Sequence, residues 1–246
     1  MAIVLVISLI FWLFSIFDAP LSTQNRAPVP ADVPPAAAAS PPGIDVHGPG
    51  RTSDLLADWA APISESTNIP PQAVRAYGNA ELIAREAWPE CNLHWNTLAG
   101  LGWVETRHGT YTGRISAGAR LDDDGRASPA IIGPALNGDG FAHVPDTDDG
   151  QYDNDPEFDR AVGPMQFIPE SWERYGRDAD GDGYPDPQQI DDAALGAANL
   201  LCAGGRNLDV PEEWQAAILG YNHSNDYLMR VRDAAANYAV GQSAHR

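Results

Sequence analysis

The sequence predicts a mostly α-helical domain with a long loop-rich insertion, and three observations carry that prediction. Apolar residues recur at helical spacing from Ser53 to Trp88, from Leu98 to Glu105, and again from Asp191 to Ala239. No stretch alternates β-branched residues as a half-buried strand requires. Between the helical blocks, residues 110–160 turn to Gly, Asp, Pro and Ser, and a loop of that length inside a compact domain is usually functional. We read it as the irregular wall of a cleft, with room for a short hairpin.

Composition bounds the function. The chain has 246 residues, 43% of them hydrophobic, and seven Trp, enough for one principal core. A formal charge of -19 argues against nucleic-acid binding, which requires a basic surface that displaces counterions. The acidity is concentrated in Asp122–Asp124, Asp146–Asp149, Asp153–Asp159 and Asp178–Asp192. Such clusters are either cation sites built of hard oxygen ligands or solvated acidic loops.

In chain order, residues 1–18 form a hydrophobic segment whose apolar run, Ala2 to Phe17, is broken only by Ser8 and Ser15. Its length falls between a signal-peptide core and a membrane-spanning helix. No Lys or Arg precedes it and no small-x-small site follows, so a retained anchor is favoured over a cleaved signal. Either places the protein outside the cytoplasm, in the cell envelope, as a membrane-anchored or a secreted chain. Residues 19–50 are rich in Pro and Ala and hold too few large apolar groups to repay their ordering entropy, so a disordered linker acting as a tether is expected. The folded domain occupies 51–246. Ser53 reads as a helix cap, Pro71 opens a helix running to about Trp88, and Pro89 ends it. Later helices are expected over Ser171–Tyr175, Asp191–Cys202, Pro211–Tyr221 and Asn225–Ala239.

Cys91 and Cys202 form an even pair in an exported chain, and a disulfide is the expected use. The segment Asp178-Ala179-Asp180-Gly181-Asp182-Gly183-Tyr184-Pro185-Asp186 matches a calcium loop. Oxygens at the first, third and fifth positions surround the ion, Gly at the sixth makes the turn, Tyr184 supplies a main-chain oxygen, and Asp186 takes the ninth position. Gln189 stands where a bidentate Glu belongs, which leaves Asp191 or Asp192 to substitute. A calcium ion bound here is structural, and an acidic turn held by its own hydrogen bonds is the alternative.

Glu105 closes an apolar helical face made of Trp95, Leu98, Leu101 and Gly102. Burial raises a carboxyl pKa, the condition under which a Glu donates a proton near neutrality. A solvated Glu in the last turn before Gly109 is the plainer reading.

Glu105-Thr106, then Gly163-Pro164-Met165-Gln166-Phe167-Ile168-Pro169, then the Asp178–Asp186 loop, then Ala217-Ile218-Leu219-Gly220-Tyr221-Asn222 stand in the order found in lytic murein transglycosylases. The chain resembles the membrane-bound B branch of that family over about Gln72 to Ala239. The resemblance implies a lysozyme-like fold with a glycan cleft, acting as a monomer on peptidoglycan strands. It implies that Glu105 is the single catalytic acid and then base, yielding a 1,6-anhydro sugar end. Gln166, Tyr221 and Asn222 would line the sugar site, with Met165 and Phe167 offering apolar contact to sugar faces or serving as core. Two departures stand out: Thr106 replaces the usual Ser, and Glu157-Phe158-Asp159-Arg160 precedes Gly163. Asp159, as a second carboxylate, keeps open a hydrolytic muramidase on the same fold. A non-catalytic, calcium-stabilised wall-binding module is the third reading.

Overall fold

The structure, a computed structural model, describes residues 26, 28–110, 118–139 and 142–244. The hydrophobic run expected over 1–18 lies outside them, and among the described residues no helix is long and apolar enough to cross a membrane. The helices are α1 (Ala57–Thr67), α2 (Pro71–Ala87), α3 (Trp95–Thr106), α4 (Pro169–Tyr175), α5 (Ile190–Cys202), α6 (Pro211–Tyr221) and α7 (Asn225–Ala239). The strands are β1 (Arg120–Leu121), β2 (Ala127–Ser128), β3 (Ile132–Ala135) and β4 (Arg160–Val162). The mostly α expectation therefore holds.

Local chemistry sets the helix boundaries. Pro71 and Pro211 occupy first-turn positions, where a missing N–H costs nothing. Gln189 caps α5 by accepting from the Asp191 N–H at 2.7 Å, and Ser224 caps α7. Ser53 is buried in a 3-10 turn over Thr52–Leu56 and makes no capping bond, a correction to its expected role.

The centre of the fold is α3. Every residue from Trp95 to Gly102 is buried, so the helix is enclosed on all sides and not along one face as its spacing suggested. Its first turn is satisfied from a neighbouring helix: Glu81 of α2 accepts the Trp95 N–H at 2.8 Å while Arg85 donates to its other oxygen at 2.7 Å. Helices α3 and α7 pack together, as do α2 and α5. Gly100 permits the first contact, since a Cβ there would lie 2.7 Å from the Val231 carbonyl.

The Cys91–Cys202 disulfide forms as expected, with Cα atoms 5.4 Å apart. It ties the turn before α3 to the end of α5 across a separation of 111 residues. Closing a loop of that size stabilises a chain by about 4–5 kcal/mol in the entropy model.

The insertion carries more structure than a single short hairpin. β1 pairs antiparallel with β2, and β3 pairs antiparallel with β4, with an irregular register between Ile132 and Ala135. Its acidic stretch is a run of side-chain turns. Asp146 accepts from the amides of Asp148, Asp149 and Gly150, Asp153 from Asp155 and Arg160, and Asp155 from Glu157 and Phe158.

The expected disordered linker is corrected over residues 31–50, which lie against the domain. Pro35, Ala38 and Pro41 are buried at every third position, the repeat of a polyproline II helix. Asn96, itself fully buried, accepts the Ala38 N–H at 3.1 Å and donates to the Ala36 carbonyl at 3.0 Å. The Trp95 indole donates to Ala39 at 3.1 Å, and Arg232 to Ala31 at 2.8 Å. An extended Pro-rich strand has little backbone freedom to lose, so a few hydrogen bonds and small apolar contacts suffice to hold it.

Candidate active site

Three separate stretches of sequence meet at the C-terminal end of α3. Thr106 Oγ1 donates to the Pro164 carbonyl at 2.6 Å, fastening the last turn of α3 to the Gly163–Pro169 loop. The same oxygen accepts the Gly109 N–H at 2.8 Å, and Arg107 and His108 both take left-handed backbone to end the helix. From α6, Tyr221 donates to the Met165 carbonyl at 2.7 Å. From α7, Tyr227 donates to Glu105 Oε1. The loop is held from beneath as well: Gly163 has φ +74°, and a Cβ on it would lie 1.7 Å from the Pro187 carbonyl, so only glycine fits.

Glu105 is half-buried. Loss of water around its carboxyl raises the pKa from 4.5 to about 7, with Tyr227's hydrogen bond and the charge of Arg230 pulling the other way. A hydrogen bond from a phenol to one oxygen favours the carboxylate, and desolvation favours the acid; here desolvation wins. The group is thus balanced between its protonated and ionised forms near neutral pH.

Behind the acid lies a buried polar chain. His108 bonds Tyr77 at 3.1 Å through Nδ1 and Tyr238 at 2.9 Å through Nε2. Burial raises both phenols well above their ordinary pKa, so they stay neutral. Gly102 makes room for this network, since a Cβ there would collide with the Tyr77 hydroxyl.

The expected site residues divide. Glu105 and Tyr221 come together, and burial, with the charge on Glu105 second to it, raises the Tyr221 pKa, but the phenol that bonds the acid belongs to Tyr227. Sequence reasoning missed Tyr227. Its signal was the α7 stripe Tyr227, Leu228, Val231, Ala235 and Tyr238, which places a phenol on the buried face, where its hydroxyl needs a partner. Gln166 turns its amide N–H inward, onto the carbonyls of Gly163 at 3.0 Å and Ala161 at 3.4 Å, and adopts φ 51°. It locks the loop and keeps only its carbonyl oxygen for a ligand. Asn222 is exposed and ends α6. Met165 and Phe167 are 0% and 3% exposed, packed in the core against Trp172 and Tyr221, which corrects their expected contact with sugar.

Asp159 is also placed against expectation. It is fully buried and accepts the Thr147 N–H at 2.8 Å and the Thr147 hydroxyl at 2.9 Å, so it has no surface on which to activate water.

In the acidic loop, carboxylate oxygens of Asp178, Asp180 and Asp182 lie within 4.8 Å of one another. Asp186 does not join them: it is buried and pairs with Arg126, which corrects its expected place as a ligand. Tyr184 is 54% exposed, and its N–H is donated to Asp182 at 2.8 Å. Of the residues offered to replace the missing Glu, Asp191 pairs with Arg51, while Asp192 accepts the amides of Ala179 and Asp186 and so buttresses the loop. The first half of the loop thus suits a hard cation and the second half is anchored to the protein itself. A second acidic group, Asp146, Asp148 and Asp159, draws together in the insertion.

A search of curated proteins finds no match. Among solved structures, the Escherichia coli lytic transglycosylase Slt35 in complex with bulgecin A is similar at 19% identity and TM-score 0.41, over 74% of this chain and 78% of that one. The Escherichia coli Slt35 structure in complex with calcium is similar at 19% identity and TM-score 0.41, over 76% and 82%. Residues 159–215, which hold the loop beneath Glu105 and the acidic loop but neither Glu105 nor Tyr227, match the family model described as Transglycosylase SLT domain.

Proposed function

We propose that the protein is a peptidoglycan lytic transglycosylase of lysozyme-like, B-branch type, cleaving the bond between N-acetylmuramic acid and N-acetylglucosamine. The observation that carries this reading is the Glu105 carboxyl, desolvated to a pKa of about 7 and joined through Thr106 to the loop that matches the transglycosylase family model.

The chemistry needs one group to act twice. Protonated Glu105 gives its proton to the glycosidic oxygen as the bond from that oxygen to C1 of the muramyl sugar breaks. The resulting carboxylate then takes the proton of the same sugar's C6 hydroxyl as O6 bonds to C1. The proton count on Glu105 is restored, a 1,6-anhydro ring forms, and no water is consumed. A pKa near the working pH suits both halves. Tyr227 stabilises the carboxylate between them and fixes its direction. The Gln166 carbonyl is left to accept an N–H from an N-acetyl group. Asp178, Asp180 and Asp182 would hold a calcium ion, whose role is to stiffen the loop ahead of α5. The cell envelope is the place of action, reached by export and retained there by the N-terminal segment if it is an anchor.

A hydrolytic muramidase is disfavoured by Asp159, the carboxylate it would need, being sealed against Thr147. Mass spectrometry of digested peptidoglycan decides between them. Wild-type protein is expected to leave anhydro ends, lighter by one water than reducing ends, and Glu105→Gln is expected to lose at least about a thousandfold in rate. Reducing ends would establish hydrolysis, and undiminished release by Glu105→Gln would remove the acid from the reaction.

A further inference from the structure

His108 stands just past the end of α3, in the turn that follows Glu105, and its ring is buried. Its backbone takes φ 60°, and its N–H turns back to the Gly102 carbonyl at 2.8 Å, which brings the ring in beside the last turns of the helix. Three aromatic rings surround it, with centroids 5.8 Å away for Tyr77, 5.7 Å for Tyr238 and 5.9 Å for Trp103. Both ring nitrogens are used, Nδ1 on Tyr77 and Nε2 on Tyr238. A neutral imidazole carries one acceptor and one donor, so one phenol gives its proton to the ring and the other receives the ring's own. Apolar side chains would fill the same space, but a buried polar chain selects a single geometry. Gly102 serves that choice: glycine weakens a helix interior, yet a Cβ there would lie 2.0 Å from the Tyr77 hydroxyl and 3.2 Å from His108 Nδ1.

The geometry so selected is that of α3 against its neighbours. Glu105 bonds Tyr227 near the start of α7, and His108 bonds Tyr238 near its end. From 227 to 238 the helix makes about three turns, rises about 16 Å and comes back to within about 20° of the same face. The end of α3 is therefore held to one face of α7 at two separated points, and it can neither turn nor slide without breaking one of them. Tyr77 adds a third point on α2. It also acts on Tyr221, whose pKa is raised first by burial, then by Glu105 and then by Tyr77. Tyr221 fastens the Met165 carbonyl, so the chain through His108 abuts each element that meets at the acid. The charged and titratable groups around the pair are Tyr77 from α2, Arg107 beside His108, Tyr221 from α6, and Tyr227, Arg230 and Tyr238 from α7.

We infer that His108 is a positioning residue for the reaction: through Tyr77 and Tyr238 it holds the end of α3 so that the Glu105 carboxyl stays turned to Tyr227 and shielded from water. The inference rests on the proposed function for the reaction that Glu105 performs. It gives the buried chain a role beyond packing, since the proton affinity of the acid then depends on a ring that never touches the sugar.

The test follows the Glu105 carboxyl carbon by NMR across pH in the full chain, beside the pH profile of kcat/KM on peptidoglycan. Wild type is expected to titrate at about 7. His108→Asn suits the left-handed backbone, which Asn68 and Asn92 already adopt, but is too short to bridge two phenols. Water then reaches the acid: the Glu105 pKa is expected to fall from about 7 toward 4.5, and the alkaline limb of kcat/KM to move to lower pH with it. The loss is expected in kcat, by about tenfold, with KM little changed, because Gln166 and the loop keep their bonds. His108→Gln restores one acceptor and one donor on a longer side chain, and Gln166 shows that glutamine accepts this backbone at φ 51°. It is expected to return the carboxyl to about 7 and to recover most of the rate. Tyr238→Phe keeps the ring and its packing, breaks the same link from the α7 side, and is expected to shift the carboxyl in the same direction by less. A Glu105 pKa that stays at about 7 in both His108→Asn and Tyr238→Phe, whatever their thermal midpoints, would overturn the inference, as would a Gln variant no better than Asn. If wild type forms no anhydro ends, the proposed function fails, and the carboxyl titration still decides whether His108 positions the acid.

Discussion

The helical floor around Glu105 and the Asp-rich wall at residues 142–160 both bury a carboxylate, on opposite terms. Glu105 has one phenol for a partner and loses more in desolvation than that bond returns, so its pKa rises to about 7. Asp159, 0% exposed, accepts both the N–H and the hydroxyl of Thr147 and so closes the wall upon itself. One acid is held in a state ready to change and the other is a fastening. Counting hydrogen-bond partners separates them, where burial alone would have marked Asp159 as the stronger catalytic candidate.

The contrast is broken most directly by removing each acid in turn. Asp159→Ala empties a fully buried position and removes the acceptor of the Thr147 N–H and hydroxyl, and is expected to cost about 1–2 kcal/mol, because exposed Thr147 can turn to water; it is seen as a lower denaturation midpoint with early loss of structure in the insertion. Glu105→Gln is expected to do the reverse. Because the folded pKa lies above the unfolded value of 4.5, wild type holds a proton on folding that the unfolded chain has lost, and its stability falls as pH rises from 4.5 to about 7. The amide does not titrate. Glu105→Gln should therefore equal wild type near pH 4.5 and exceed it by about 2–3 kcal/mol above pH 7. Denaturation curves at both ends of that interval check the sign, and a difference that does not grow with pH would show that the carboxyl is not desolvated in solution.

The same contrast explains what the sequence made legible. Helices α2, α5, α6 and α7 start and stop within a residue or two of their predicted bounds, because Pro, Gln and Ser mark their first turns and apolar spacing marks their faces. Thr106, the Gly163–Pro169 loop and Tyr221 converge as their order suggested. One short hairpin was expected in the insertion and two β pairs form there; their positions were not legible, since strands of two to four residues are too short to show alternation. Nor was the docking of residues 31–50, where small side chains bury at every third position and composition alone reads as a free chain. Met165 and Phe167 were drawn toward the sugar by lying in the motif, although their apolar character already suited the core. Asp186 fits the calcium pattern by number, but Arg126, sixty residues earlier, claims its carboxylate, and only tertiary structure shows that.

The finest distinction concerns Tyr227, whose removal tests how Glu105 keeps its balance. A phenol donating to a carboxylate stabilises the ionised form, so it lowers the Glu105 pKa against the larger upward push of desolvation. Tyr227→Phe keeps the ring, and with it the packing at the start of α7, and removes only the donor. The Glu105 pKa is then expected to rise above about 7, and the alkaline limb of kcat/KM to move to higher pH with it. Rate falls at the same time, by about tenfold, because the carboxylate formed after glycosidic cleavage has lost its hydrogen bond and its fixed direction. A merely structural Tyr227 would lower the rate without moving the limb. A limb moving to lower pH would mean that water, admitted where the hydroxyl had been, solvates the acid more than the phenol did, and the floor would then be less dry than the geometry of Glu105 requires.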